Sequence, residues 1–119
     1  MLSLSASDAY WRLALPVGAS RDHPWCNPLA NGVAGLSYAR VARTMVCVSD
    51  LDILRDRELE FCDAMAGAGK RVEKVVYRGV GHGFQVLCNS PQARARTEEM
   101  MAHNFLPSED LTRDFVYKL

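Results

Sequence analysis

Thr44-Met-Val-Cys-Val-Ser49, followed at once by Asp50-Leu-Asp52, is the stretch that decides how the chain is read. Its first six residues are almost continuously apolar and β-branched at Thr44, Val46 and Val48. That composition suits a strand covered on both faces, as in a parallel sheet. Beyond it, Leu54, Phe61, Cys62 and Met65 recur at helical spacing. A helix is therefore expected over 54–68, with Asp50 or Asp52 at its start and Gly67 and Gly69 closing it. Residues 72–77 read as a second strand. A strand, a helix and a strand with short joints form a βαβ unit, whose strands lie parallel and whose crossover is right-handed.

Two polar residues leave the ends of these strands: Asp52 after the first, and His82, within Gly81-His-Gly-Phe84, after the second. In an open parallel sheet the carboxyl ends of neighbouring strands share one rim, where ligands bind. Strands about 5 Å apart let their end loops bring a carboxylate to an imidazole. A carboxylate on one ring nitrogen fixes the tautomer and leaves the other nitrogen as a base. Each residue also has a purely structural use. Asp is a common helix cap, and a histidine between two glycines suits a turn.

Outward from this core, Ser5-Ala-Ser-Asp8 resembles a capping box and opens a helix over 5–15 that Pro16 stops. Tyr10, Trp11, Ala14 and Leu15 are its expected buried side. Residues 16–42 read as a long connection, with turn signals at Asn27-Pro28 and Asn31-Gly32. Within it, Trp25 is expected to plug into the body. His23 and Cys26 are three apart but lack the second pair that a metal site needs. Ser90-Pro91 starts another helix, expected to run to about residue 103, with Met101 and Phe105 one turn apart. Pro107 breaks the pattern, and residues 108–119 read as a short last helix or a frayed tail. The chain is one domain in three parts: 1–42, a helix and a long loop; 43–105, the βαβ unit and its following helix; and 106–119, an atypical tail.

Composition narrows the function. At 119 residues, 49% hydrophobic and 24% charged, the chain suits one globular domain rather than a disordered one. Fourteen basic and fourteen acidic residues cancel, so no net field favours nucleic acid or an anionic membrane. Lys70-Arg71, and Arg94 with Arg96, read as solvated helix faces or ends. No two of Cys26, Cys47, Cys62 and Cys88 form a CxxC pair, which argues against a zinc knuckle. Free, mostly buried thiols and a cytoplasmic location are expected. Cys88, soon after His82, raises the alternative of a Cys–His dyad, against a buried structural thiol. No run approaches a membrane-spanning length, and no leader pattern opens the chain.

Four pieces together carry a family resemblance: Tyr10-Trp-Arg-Leu-Ala-Leu-Pro16; Arg21-Asp-His-Pro24 with Asn27-Pro28; Asp50-Leu-Asp-Ile-Leu-Arg-Asp56; and Gly81-His-Gly-Phe84. In this order and spacing, from about residue 8 to 105, the chain resembles the C-terminal part of a plant-type carboxylesterase. That group lies in the α/β-hydrolase superfamily, in the branch related to hormone-sensitive lipase. The resemblance implies an α/β fold with an incomplete sheet of two parallel strands flanked by helices. It implies hydrolysis of a small carboxylic ester without metal or cofactor. Asp52 would be the triad acid, His82 the triad base, and Asp56 a structural residue at the helix start. The order acid, then histidine, is the one in which the serine precedes both.

The departures are equally definite. The nucleophile elbow G-x-S-x-G and the oxyanion motif HGGG occur nowhere in the chain, and Gly35-Leu-Ser37-Tyr-Ala is only a partial imitation of the elbow. Without an attacking oxygen and its oxyanion donors, the chain alone is expected to be inactive. The alternative is a non-catalytic binding or interaction module on the esterase fold. Gibberellin receptors, which resemble these esterases, bind a hormone and lack the histidine, whereas His82 is present here. The first strand is expected to have an unpaired edge exposing Val46 and Val48, which favours association and marginal stability.

Overall fold

The computed structural model describes residues 2–105; the tail expected over 106–119 lies outside them. Along the chain come α1 (Leu4–Ala14), α2 (Gly32–Tyr38), β1 (Thr44–Ser49), α3 (Arg55–Gly67), β2 (Val72–Tyr77), α4 (Phe84–Leu87) and α5 (Pro91–Phe105). The two strands form a parallel sheet, in register from Thr44 opposite Val72 to Ser49 opposite Tyr77. This is the expected βαβ unit.

Strand periodicity divides what each face meets. Cys47 lies opposite Val75. Both pack against a buried cluster of Tyr77, Val80, Phe84, Ala93 and Met100, contributed by β2, its following loop, α4 and α5. The Tyr77 and Phe84 rings lie 5.7 Å apart at a tilt. Glu73, on the same side of β2 by its spacing, accepts from His103 of α5 at 2.9 Å. Lys74 points the other way and pairs with Asp63 of α3 at 3.5 Å. Cys62 and Met65 form the buried stripe of α3, and Val48 is fully buried.

Several expectations need correction. The first helix is capped by Ser3, whose Oγ accepts the Ala6 amide hydrogen, rather than by Ser5. With the start moved, the buried residue of α1 is Ser7, while Tyr10 is 68% exposed. The long connection contains α2, hidden in the sequence because Gly32 and Gly35 weaken its helical signal. Its C-terminal end is closed by Lys70, whose Nζ donates to the carbonyls of Ser37 and Ala39, both at 2.9 Å. Lys70 is thus a cap for α2 and not a solvated charge. Trp25 does not plug into the body: it is 68% exposed and packs edge-on against His23 within its own turn.

The thiols are less buried than expected, because only Cys62 lies inside the apolar stripe of a helix. Cys26 and Cys47 are half-buried and Cys88, at the end of α4, is exposed. The edge of β1 is unpaired among the described residues, but Val48 is buried and Val46 half-buried. Side chains project onto the sheet faces, which helices cover; what the edge offers is backbone. Among the described residues, no helix is long and apolar enough to cross a membrane.

Candidate functional site

The loops that leave β1 and β2 are sewn together before either reaches its polar residue. The Asp50 amide donates to the Tyr77 carbonyl at 3.1 Å, and the Leu51 amide to that of Val80 at 3.1 Å. Asp50 Oδ1 accepts the Gly79 amide hydrogen at 2.7 Å. Asp50 therefore joins the loops, and it is Asp52 that meets the start of α3. Asp52 Oδ1 accepts from the Leu54 amide at 3.0 Å, a turn bond just ahead of α3; the N-cap itself is Leu54, with no side-chain cap bond, rather than the expected Asp50 or Asp52.

The second carboxylate oxygen of Asp52 is turned the other way. Oδ2 lies 2.8 Å from His82 Nδ1. The Asp52 side chain is 4% exposed and that of His82 is 29% exposed. A carboxylate can only accept, so Nδ1 carries the hydrogen and the basic lone pair sits on Nε2. Gly83, immediately after His82, has φ +63° and caps α4. The left-handed residue turns the chain sharply into α4, with Phe84 buried below. The imidazole thus stands on a short, anchored loop.

The other candidates stay apart from this pair. Ser37 lies on α2, and its hydroxyl donates to the Val33 carbonyl one turn earlier. Cys88 lies with Gln85, Val86, Leu87 and Arg94 along an open cleft that includes neither Asp52 nor His82. Its exposure corrects the expectation of a buried thiol. His23 Nδ1 accepts from the Trp25 amide at 3.3 Å. Asp56 is in the first turn of α3, where a negative charge suits the helix dipole. Its side chain is largely exposed beside Arg55. Among the described residues, no group of three or more His, Cys, Asp or Glu side chains is placed to hold a metal ion.

One residue that the sequence reading passed over belongs here. Glu58 is in the first turn of α3, with Oε2 removed from solvent and without a hydrogen-bond partner among the described residues. Burial, and then the neighbouring Asp52 charge, push its carboxyl up to about 7, against a smaller opposing pull from His82. The signal was present in the sequence: position 58 falls one turn after Leu54, within the stripe that continues through Phe61, Cys62 and Met65. A charged residue in an apolar stripe invites the question of what it faces.

Comparison with known proteins agrees with this architecture. A family model described as the alpha/beta hydrolase fold matches residues 1–86. The chain is 41% identical over 101 residues to probable carboxylesterase 6 of Arabidopsis thaliana, covering 85% of this chain and 28% of that protein. It is 34% identical over 99 residues to the gibberellin receptor GID1 of Oryza sativa subsp. japonica, covering 83% of this chain and 28% of that one. Carboxyl esterase 2 from the fungus Tuber melanosporum superposes with a TM-score of 0.66 at 24% identity, over 83% of this chain and 33% of that structure. The chain thus spans about 28% of the length of these two plant relatives. It belongs to the α/β-hydrolase family, as a segment resembling the plant-type carboxylesterases within it.

Proposed function

We propose that this chain supplies the acid and the base of a carboxylic-ester hydrolase. The observation that carries the reading is the 2.8 Å contact between Asp52 Oδ2 and His82 Nδ1. The similarity to carboxylesterases supplies the reaction class. In this scheme His82 Nε2 takes the proton of a serine hydroxyl as its oxygen attacks the ester carbonyl. The imidazolium returns that proton to the leaving alcohol, and an acyl-serine remains. A water then repeats the cycle, and the carboxylic acid leaves. Asp52 holds the ring and balances its transient positive charge. The serine and the oxyanion donors come from outside this sequence, so the chain alone is inactive. A cytoplasmic site of action suits its four unpaired cysteines.

A graft tests this. The matching segment of the Arabidopsis carboxylesterase is replaced by residues 1–105 of this chain, and hydrolysis of p-nitrophenyl butyrate is followed. The chimera is expected to turn over and to label at one serine with a fluorophosphonate. His82→Ala abolishes turnover, and the unfused chain shows neither activity. A folded chimera whose hydrolysis is indifferent to His82 would end the reading.

A second reading has its own observation, the 34% identity to a gibberellin receptor. On that reading the segment belongs to a non-catalytic, small-molecule-binding module. Retention of a histidine bonded to Asp52 favours the hydrolase, because a binding module has no need for a poised base.

A further inference from the structure

Glu58 has no task in the scheme above, yet it is tied to both residues that do. Its amide donates to the Leu54 carbonyl at 2.9 Å, and the Leu54 amide is held by Asp52 Oδ1 at 3.0 Å. One turn of α3 therefore fixes where the Glu58 side chain begins relative to Asp52. Its Oε2 is out of solvent and bonded to nothing among the described residues, a state that disfavours the ionised carboxyl. The groups that feel its charge are Asp52 and His82 on the two rim loops, Cys47 on β1 and Cys62 on α3 itself. Of these, His82 alone can become cationic.

We propose that Glu58 is a positioning residue for the Asp52–His82 pair: a carboxyl in the first turn of α3, with Oε2 shut off from solvent, whose charge sets how well the site holds an imidazolium. With Glu58 protonated, Asp52 alone balances the charged ring. With Glu58 ionised, two carboxylates do so, and the step in which His82 takes a proton becomes easier. Because the interaction between two titrating groups is reciprocal, whatever His82 does to Glu58, Glu58 does to His82. The inference deepens the hydrolase reading, on which its catalytic meaning rests; the coupling itself needs no activity.

The test is a carboxyl carbon-13 NMR titration of Glu58 in the protein and in two variants. In the native chain the midpoint is expected at about 7. Asp52→Asn, which removes a negative neighbour, lowers it by roughly half a pH unit or more. His82→Gln, which removes the cationic member of this set, raises it. Opposite signs from two substitutions are not what a merely structural carboxyl would give. A native midpoint in the ordinary range near 4.5, or one that neither substitution moves, overturns the proposal. Should neither variant fold, the pH dependence of the chimera decides. In the esterase chimera, Glu58→Gln is expected to flatten the rise of kcat/KM through neutral pH. A chimera that hydrolyses nothing sinks the enzyme reading and leaves the titration standing, whereas an unmoved titration sinks the coupling and leaves the hydrolase.

Discussion

Asp52 Oδ2 lies 2.8 Å from His82 Nδ1 while Oδ1 of the same carboxylate holds the Leu54 amide at 3.0 Å. One side chain serves the imidazole and the turn ahead of α3 at once, and the two tasks separate by substitution. Asn keeps an oxygen for Leu54 but presents an amide N–H to the ring. Asp52→Asn is expected to lower kcat of the esterase chimera by about 10³–10⁴ with little change in thermal midpoint. Asp52→Ala loses the turn bond to Leu54 too, at about 1 kcal/mol of further stability. Equal stability losses in the two variants would mean that the turn bond contributes nothing.

Glu58 makes stability depend on pH in a direction opposite to most carboxylates. Its folded-state value, about 7, is raised from 4.5, so between these values the folded chain keeps a proton that the unfolded chain has released. Stability linked to this group is present below about pH 4.5 and is lost as pH rises through about 7. The loss is on the order of 2 kcal/mol, after allowing for the partial exposure of the side chain. Urea unfolding at pH 5 and pH 8 measures it. Glu58→Gln should remove most of the difference between the two; a variant with the native slope would assign that slope elsewhere.

Gly83 links the histidine to its anchor. At φ +63° any side chain is strained, and an added Cβ would meet Leu87 Cδ1 at 2.8 Å. Gly83→Ala should destabilise by about 1–2 kcal/mol and, by displacing the loop, reduce hydrolysis by the chimera further than that loss explains. Gly18, also left-handed at φ +81° but with nothing within 4 Å of an added Cβ, is the control. Gly18→Ala should show a similar strain and leave turnover unchanged. If both variants lose activity together, the close contact at Gly83 has no special role.

The strands, α3 and α5 were legible because their signals are local and redundant. Thr44 to Ser49 is almost continuously apolar and β-branched at every second residue, and Ser90 caps α5 as its sequence suggests, accepting the Ala93 amide hydrogen at 3.1 Å. The acid and the histidine were legible from their places at two parallel strand ends, since topology alone brings those ends to one rim. Three things were not. Helix α2 is short and carries Gly32 and Gly35, so its stability comes from packing on α3 and from the Lys70 cap, 31 residues from Ala39. Trp25 is expected to plug into the body, but the turn around it uses the ring locally, against His23. Glu58 gave only a weak signal, a charge at a stripe position near a helix start, where charges are ordinary. Only the fold shows that its Oε2 is shut off from solvent without a partner among the described residues.

The outer edge of β1 gives the last expectation. Its residues pair with β2 on one side only among the described residues, and six residues of unpaired backbone are a template for another strand. The faces of β1 are covered, with Val48 buried and Val46 half-buried, so association should run through strand pairing rather than through an apolar patch. The partner expected for the isolated chain is a second copy, because two identical edges of equal length meet without further complementarity. Sedimentation velocity over a rising concentration series should show dimer growing at the expense of monomer. Val46→Glu is the informative variant. Position 46 lies opposite Lys74, so the carboxylate gains a partner within the sheet and the fold is kept. In a pairing of two edges, however, the added charges repel. Loss of dimer with an unchanged circular dichroism spectrum supports edge pairing; a dimer that survives Val46→Glu assigns the contact to another surface.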